Sequence, residues 1–235
     1  MKSIAKLSSE QRRSAIIRAV RQVFAEKGFH GTTTRELARA AGVSEALLFK
    51  HFPNKEALFA AMMMACCSQE EIDRFERLRE LEPSTTTLVL MVHNLVSFFL
   101  DRTGDLNPEL AIQDRMLLRS LAEDGEFARH VYAKLSSSWL PGIVACLKAS
   151  NRAGDTIQQE SKPDAMGWFL HSLPLIIHML LLPANPIVNF HVRNKALVEQ
   201  TVRFLLRGVG LKDSVAARLY TSKTLSRLTA LDKST

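Results

Sequence analysis

Three helix-stopping residues set the scale of the first quarter of this chain. Gly28, Gly42 and Pro53 interrupt stretches whose apolar residues recur at helical spacing, so only short helices, of fewer than about four turns, fit between them. Upstream, Ile16, Val20, Val23 and Phe24 lie opposite Arg18 and Arg21 on an amphipathic helix expected over residues 10–27. Lys27 and Gly28 close it, and Phe29 is placed to fold back onto the last turn, as in a Schellman ending. Thr33 and Glu36 form a capping box that starts a second helix at Thr34, with Leu37, Ala38 and Ala41 inward. Gly42 breaks that helix, Val43 anchors the corner, and Ser44 caps a third helix from Glu45 to His51. Two short helices joined by a tight glycine turn make a helix-turn-helix. Asn54 then caps a fourth, long helix with Ala57, Leu58, Ala61 and Met62 on one face.

Leu48 and Phe52 point inward on the third helix and leave Glu45, Ala46, Phe49 and Lys50 outward, on a rod short enough for its N-terminal half to enter a major groove. Charge agrees with that use. Residues 1–55 hold eleven Lys or Arg against four Glu, whereas the remaining residues carry twenty of each sign. All of the formal net charge of +7 therefore sits in the first quarter. Basic side chains release condensed counterions on docking to nucleic acid, so a small cationic module on a neutral body suits a phosphate-binding surface. A solvated face or attraction to an anionic membrane are the competing readings of charge alone.

TTTRELARAAGVSEALLFKHFPNKEALF, from Thr32 to Phe59, resembles the DNA-binding region of the TetR family of bacterial transcriptional regulators. The T-x-x-E-L-A segment, the Gly42-Val43-Ser44 turn, the aromatic-x-His-Phe ending and the x-Asn-Lys-Glu-x-Leu stretch occur in order and at the right spacing. The resemblance implies an all-α chain: an N-terminal three-helix helix-turn-helix DNA-binding domain, residues 1–55, and a larger C-terminal helical effector-binding and dimerisation domain, residues 56–235. It implies phosphate contacts from Thr34, Lys50, His51 and Lys55, and base or near-base contacts from Arg35, Glu45, Ala46 and Phe49, with Ser44 in the same DNA-binding set. Thr34 and Lys55 lie at helix N-termini, where free N–H groups and the dipole favour anions. Arg35 can pair with a guanine edge or hold a phosphate, and Glu45 can accept from a cytosine amino group but repels phosphate. Phe49 stands where the family usually has Tyr, which exchanges a phosphate contact for apolar contact with a thymine methyl. Leu47 replaces a commoner small or hydroxylated residue.

Beyond Phe59 the chain reads as helices punctuated by Pro and Gly, with no repeat or strand-like alternation. Residues 84–101 are apolar nearly all round and are expected to be buried. Asn107 and Pro108 start a helix reaching Glu123, and residues 126–150 form another, kinked at Pro141 and Gly142. Helices 164–182 and 194–207 carry apolar surface that needs a partner, and in TetR-like proteins the last two long helices pair across a two-fold axis. They are the expected homodimer interface. Residues 211–235 read either as a short helix from Ser214 to Tyr220 with a tail or as a peripheral extension. Phe98, Phe99, Trp139, Trp168, His171 and Met179 are the candidate lining of a mostly apolar effector pocket near Pro141, against an alternative of ordinary core.

Composition excludes several classes. At 46% hydrophobic and 23% charged residues the chain is neither disordered nor a disulfide scaffold. Cys66, Cys67 and Cys146 lack metal-ligand spacing and fit buried thiols in a reducing compartment. No nucleophile elbow, phosphate-binding glycine loop or zinc pattern occurs, so no enzyme, metal or cofactor is expected. No secretory signal is visible, and the run Trp168–Leu182 is short of a membrane span and contains Pro174, so the expected location is the cytoplasm, away from membranes. The expectation is a homodimeric, cytoplasmic repressor on a palindromic operator of double-stranded DNA, released by a small apolar or aromatic effector. The alternatives are a DNA-binding regulator controlled by a protein partner, and a membrane-surface protein or enzyme with a basic helical arm.

Overall fold

The computed structural model describes residues 8–64, 69–101, 108–123, 125–157, 161–183 and 185–232. Among them the regular structure is helical, in thirteen segments: α1 Ser9–Lys27, α2 Thr34–Ala40, α3 Glu45–His51, α4 Lys55–Met64, α5 Gln69–Glu80, α6 Thr85–Leu100, α7 Pro108–Ala122, α8 Glu126–Ser138, α9 Leu140–Arg152, α10 Pro163–Leu181, α11 Asn194–Gly208, α12 Asp213–Leu219 and α13 Ser222–Asp232. The all-α expectation holds. Cys66, Cys67 and Asn107 lie outside the described residues, as does the stretch 65–68 of the expected long fourth helix.

Packing divides the chain into two compact units, Met1–Ser68 with Asn107–Tyr132, and Gln69–Leu106 with Ala133–Thr235. The first thus takes in more than residues 1–55. Its centre is α1, which packs against α2, α4 and α7 and buries Ile16, Val20 and Phe24. Phe24, Phe29, Phe59 and Phe127 meet at ring separations of 4.9–6.4 Å, in stacked, edge and tilted arrangements that add to their area burial. Thr33 and Glu36 make the expected reciprocal cap at the start of α2. Gly42 takes φ +64 at the corner and Val43 N–H donates to Ala38 O at 3.0 Å, which closes the turn between α2 and α3. At the end of α1, Gly28 has φ 71 and ψ 178. This is a backbone region open essentially to glycine alone, and it replaces the expected Schellman ending, which needs a left-handed helical ψ.

The second unit is built around α6, where twelve of sixteen residues are buried because α9, α10 and α11 pack around it. The expected single helix over 126–150 is two helices, with the break at Trp139 rather than at Gly142. Pro141 lacks an N–H and crowds the preceding turn, so α9 begins with it in its first turn. Helix α10 runs unbroken through Pro174. By length and apolarity alone it suffices to cross a bilayer, contrary to the expectation that its apolar run is too short, and half of it is buried inside the molecule. The C-terminal segment forms two helices instead of one. It is stitched in by a Thr156–Leu211 bridge, by Ile157 N–H donating to Gly210 O at 2.8 Å and by Lys212 N–H donating to Asp155 O at 3.0 Å. Tyr220 is buried beside His93, with its hydroxyl 3.1 Å from Nδ1.

Gly28→Ala tests the backbone argument. The substitution is expected to cost about 1–3 kcal/mol, read as a lowered denaturation midpoint with an unchanged denaturant slope; an unchanged midpoint contradicts it.

Candidate nucleic-acid interface and aromatic cluster

The short helix α3 is held at both ends by groups outside it. Ser44 is extended and its Oγ accepts from Leu47 N–H at 3.2 Å, supplying the N-terminal cap. At the other end Arg13 of α1 donates from Nη1 to the His51 carbonyl at 2.7 Å and lays its guanidinium 4.2 Å from the Phe52 ring centroid. A cation on the last carbonyls satisfies acceptors that lack an intrahelical donor and suits the helix dipole. Between these ends Leu48 and Phe52 are 2% and 1% exposed, whereas Phe49 is 40% exposed and Glu45, Ala46 and Lys50 face solvent.

Neighbouring groups tie α2 and α4 to the same surface. Thr34 Oγ1 donates to Glu45 Oε2 at 2.8 Å, linking the starts of α2 and α3. Lys27 pairs with the Glu36 carboxylate. That ammonium and two hydrogen bonds from Thr33 hold the Glu36 pKa at about 2, well below the ordinary carboxylate range. Lys55 donates to Phe29 O at 2.8 Å and Thr32 O at 2.9 Å and lies 4.3 Å from the Phe29 ring centroid, so it clasps the turn between α1 and α2. One N–H of its three is left to point elsewhere. Of the nine sequence candidates, Arg35, Ser44, Glu45, Ala46, Phe49 and Lys50 are exposed and Thr34, His51 and Lys55 are half-buried. Arg13 is the functional positioning residue that sequence reasoning passed over. It acts across 38 positions and its own helix gives no sign of it.

In the second unit the aromatic candidates converge on His171. Its ring centroid lies 5.5 Å from Phe99, 6.0 Å from Trp139 and 6.2 Å from Trp168, and Phe98 packs on Phe99 at 5.1 Å. Met179 is buried on the same helix as His171. His178, two turns along the same helix, joins the group at 6.1 Å from Phe99. Two buried donors, Trp139 Nε1 and Asn94 Nδ2, have no hydrogen-bond partner among the described residues, an arrangement that is costly unless a further group fills it. An open cleft of about 490 Å³ lies at Pro141, but its walls are Pro83, Ser136, Asp164 and the face of α9 from Leu140 to Arg152, and none of the six candidates lines it. Among the described residues no cluster of three or more His, Cys, Asp or Glu is placed to hold a metal ion. Burial pushes the Cys146 thiol pKa up, which disfavours the reactive thiolate.

With this geometry in hand, comparison with known proteins is informative. Residues 16–62 match the family described as "Bacterial regulatory proteins, tetR family", a span that contains both helices of the motif and the clamped turn. Residues 16–62 thus form a domain of the TetR type. The chain is similar to the nucleoid occlusion factor SlmA of Vibrio campbellii, with 32% identity over 96 residues covering 40% of this chain and 48% of that protein. It is also similar to the HTH-type transcriptional regulator UidR of Escherichia coli K12, with 31% identity over 85 residues covering 36% of this chain and 41% of UidR. These matches span less than half of either relative. Over a longer stretch, 82% of this chain and 97% of the other, the structure superposes on AibR, solved in complex with isovaleryl coenzyme A and operator DNA, with a TM-score of 0.58 and 18% identity. The likeness of fold thus extends beyond residues 16–62.

Burial holds the His171 pKa at about 4, below its ordinary 6.5. The folded state therefore keeps a neutral imidazole while the unfolded chain takes up a proton near pH 6.5. The associated stability is complete above pH 6.5 and is lost as pH falls towards 4, on the order of 3 kcal/mol. Denaturation series at pH 7.5 and 4.5 should show a smaller loss for His171→Leu than for the parent chain, and equal losses contradict the assignment.

Proposed function

We propose that the chain is a sequence-specific transcriptional regulator that binds operator DNA as a homodimer and, acting as a repressor, is released by a small apolar or aromatic effector. The observation that carries this reading is the clamped third helix. A seven-residue rod fixed by Arg13, Leu48 and Phe52 presents Glu45, Ala46, Phe49 and Lys50 outward, in the register that reading a major groove needs. In this reading residues 1–55 read DNA and 56–235 hold the effector and the dimer contact. Lys50, His51, the Thr34 end of α2 and the remaining N–H of Lys55 meet phosphates, Arg35, Glu45, Ala46 and Phe49 meet base edges, and Ser44 orients the helix between them. A bacterial protein acting on chromosomal DNA works in the cytoplasm.

The dimer contact rests on α10 and α11. Phe169, Ile176 and Phe204 are 64%, 52% and 66% exposed, too much aromatic and branched surface for a stable solvated face. A two-fold pairing of these helices covers it and sets the spacing of two recognition helices at about one turn of DNA, ~34 Å, or a multiple. The effector reading rests on the aromatic group around His171, where the buried Trp139 Nε1 donor has no hydrogen-bond partner among the described residues. The complex of AibR with both an acyl-coenzyme A and operator DNA supports it by analogy. A ligand preferring a body conformation incompatible with operator spacing weakens DNA binding by linkage.

Two measurements test this reading. On any duplex, Lys50→Ala should lower the slope of log affinity against log salt by about 1 while leaving the unfolding midpoint in place; an unchanged slope removes Lys50 from the phosphate contacts. Phe169→Asp with Phe204→Asp should give a monomer at micromolar concentration, seen by sedimentation, with at least about tenfold weaker DNA binding. Retention of the dimer rules out these helices as the interface.

A further inference from the structure

We propose that the open cleft along α9 is a binding site for an amphipathic organic anion, separate from the aromatic group around His171. Its main wall is one face of a single helix with a polarity gradient. Leu140, Pro141, Val144 and Ala145 come first and Lys148 and Arg152 follow. At about 1.5 Å rise per residue the apolar part is ~7 Å long and the two cations are ~6 Å apart along the axis. The volume, about 490 Å³, falls within the ~300–1,000 Å³ of small-molecule sites.

What calls for a ligand is the junction of two cations with an apolar wall inside one cleft. Some basic side chains of this unit are engaged, Arg203 with Glu199, Arg207 with Asp213, Arg218 with Asp155 and Lys212 with Gly154 O, and others, Lys162 and Lys195 among them, face solvent; Lys148 and Arg152 differ from both groups in sharing the wall of a cleft with an apolar helix face. Lys148 and Arg152 have no such partner among the described residues, although they are like charges four residues apart on one face, a spacing that is unfavourable without a counter-anion. Their place in the second half of α9 suits the helix dipole, but the dipole does not account for the apolar wall that leads up to them. Asp164, in the first turn of α10, also lines the cleft. Its carboxylate repels a second anionic group, so the ligand carries its charge at one end and an apolar body of several carbons at the other. A carboxylate or phosphate on a short alkyl or aromatic body has that chemistry.

The test is calorimetric titration of the full-length chain with octanoate, 1-octanol and octylammonium at equal ionic strength. Octanoate should bind at least tenfold more tightly than either of the others. The pair Lys148→Gln with Arg152→Gln should weaken octanoate at least tenfold without moving the unfolding midpoint, while Lys148→Arg with Arg152→Lys should keep the affinity. Should the Gln pair lower the midpoint, Val144→Asp, which leaves both cations in place and blocks the apolar wall, is expected to produce the same loss. Equal binding of the three probes, no binding of octanoate at millimolar concentration, or unaltered octanoate affinity in the Gln pair overturns the proposal. Loss of octanoate binding in His171→Leu but not in the Gln pair places the ligand in the aromatic group and also overturns it. None of these outcomes bears on DNA binding, which fails or holds by the salt-slope measurement.

Discussion

A helix of seven residues is too short to be stable or to keep a direction by itself, so α3 takes both from what surrounds it. Leu48 and Phe52 anchor one face in a core supplied by other helices, Ser44 satisfies the Leu47 N–H of the first turn, and Arg13 satisfies a terminal carbonyl. What is left over is a fixed outward face. The cations of this unit divide accordingly. Arg13 and Lys55 hold backbone carbonyls and stack on aromatic rings, while Arg35 and Lys50 stay exposed and available to a polyanion. Part of the positive charge thus serves the fold itself.

The second unit solves a different problem. A helix apolar nearly all round must be covered on every side, and α6 is enclosed by α9, α10 and α11. Covering it this completely brings Phe99, Trp139 and Trp168 around His171 and strips the imidazole of water, which is why it stays neutral in the fold. Polar atoms trapped in the same process, on Trp139 and Asn94, are the local cost. The outer faces of α10 and α11, by contrast, leave Phe169 and Phe204 exposed.

Local chemistry made the first unit legible. Capping residues, the Gly42 corner and the inward positions of α3 are short-range features written within four residues of one another, and α2 and α3 have the expected bounds. Long-range pairs were not legible: Arg13 reaches His51 across 38 positions and Lys55 reaches back 26 to Phe29. Gly28 announced a stop but not which glycine-only conformation makes it. In the second unit Pro141 marked a discontinuity, yet its exact place depended on how far the backbone hydrogen bonds run past Trp139. Aromatic convergence on His171 followed from helical spacing, whereas Asn94 hid among apolar neighbours because a single amide leaves the periodicity of α6 unchanged. The cleft along α9 depends on Pro83, Ser136 and Asp164 meeting from three separate segments, which no spacing in one helix reveals.

The central claim is that the outward face of α3 distinguishes one DNA sequence from another. Selection of bound fragments from bacterial genomic DNA at modest ionic strength tests it most directly. The account predicts enrichment of a two-fold-symmetric sequence bound at least about a thousandfold more tightly than a scrambled duplex of the same length. Equal affinity for every fragment, selected or scrambled, contradicts it.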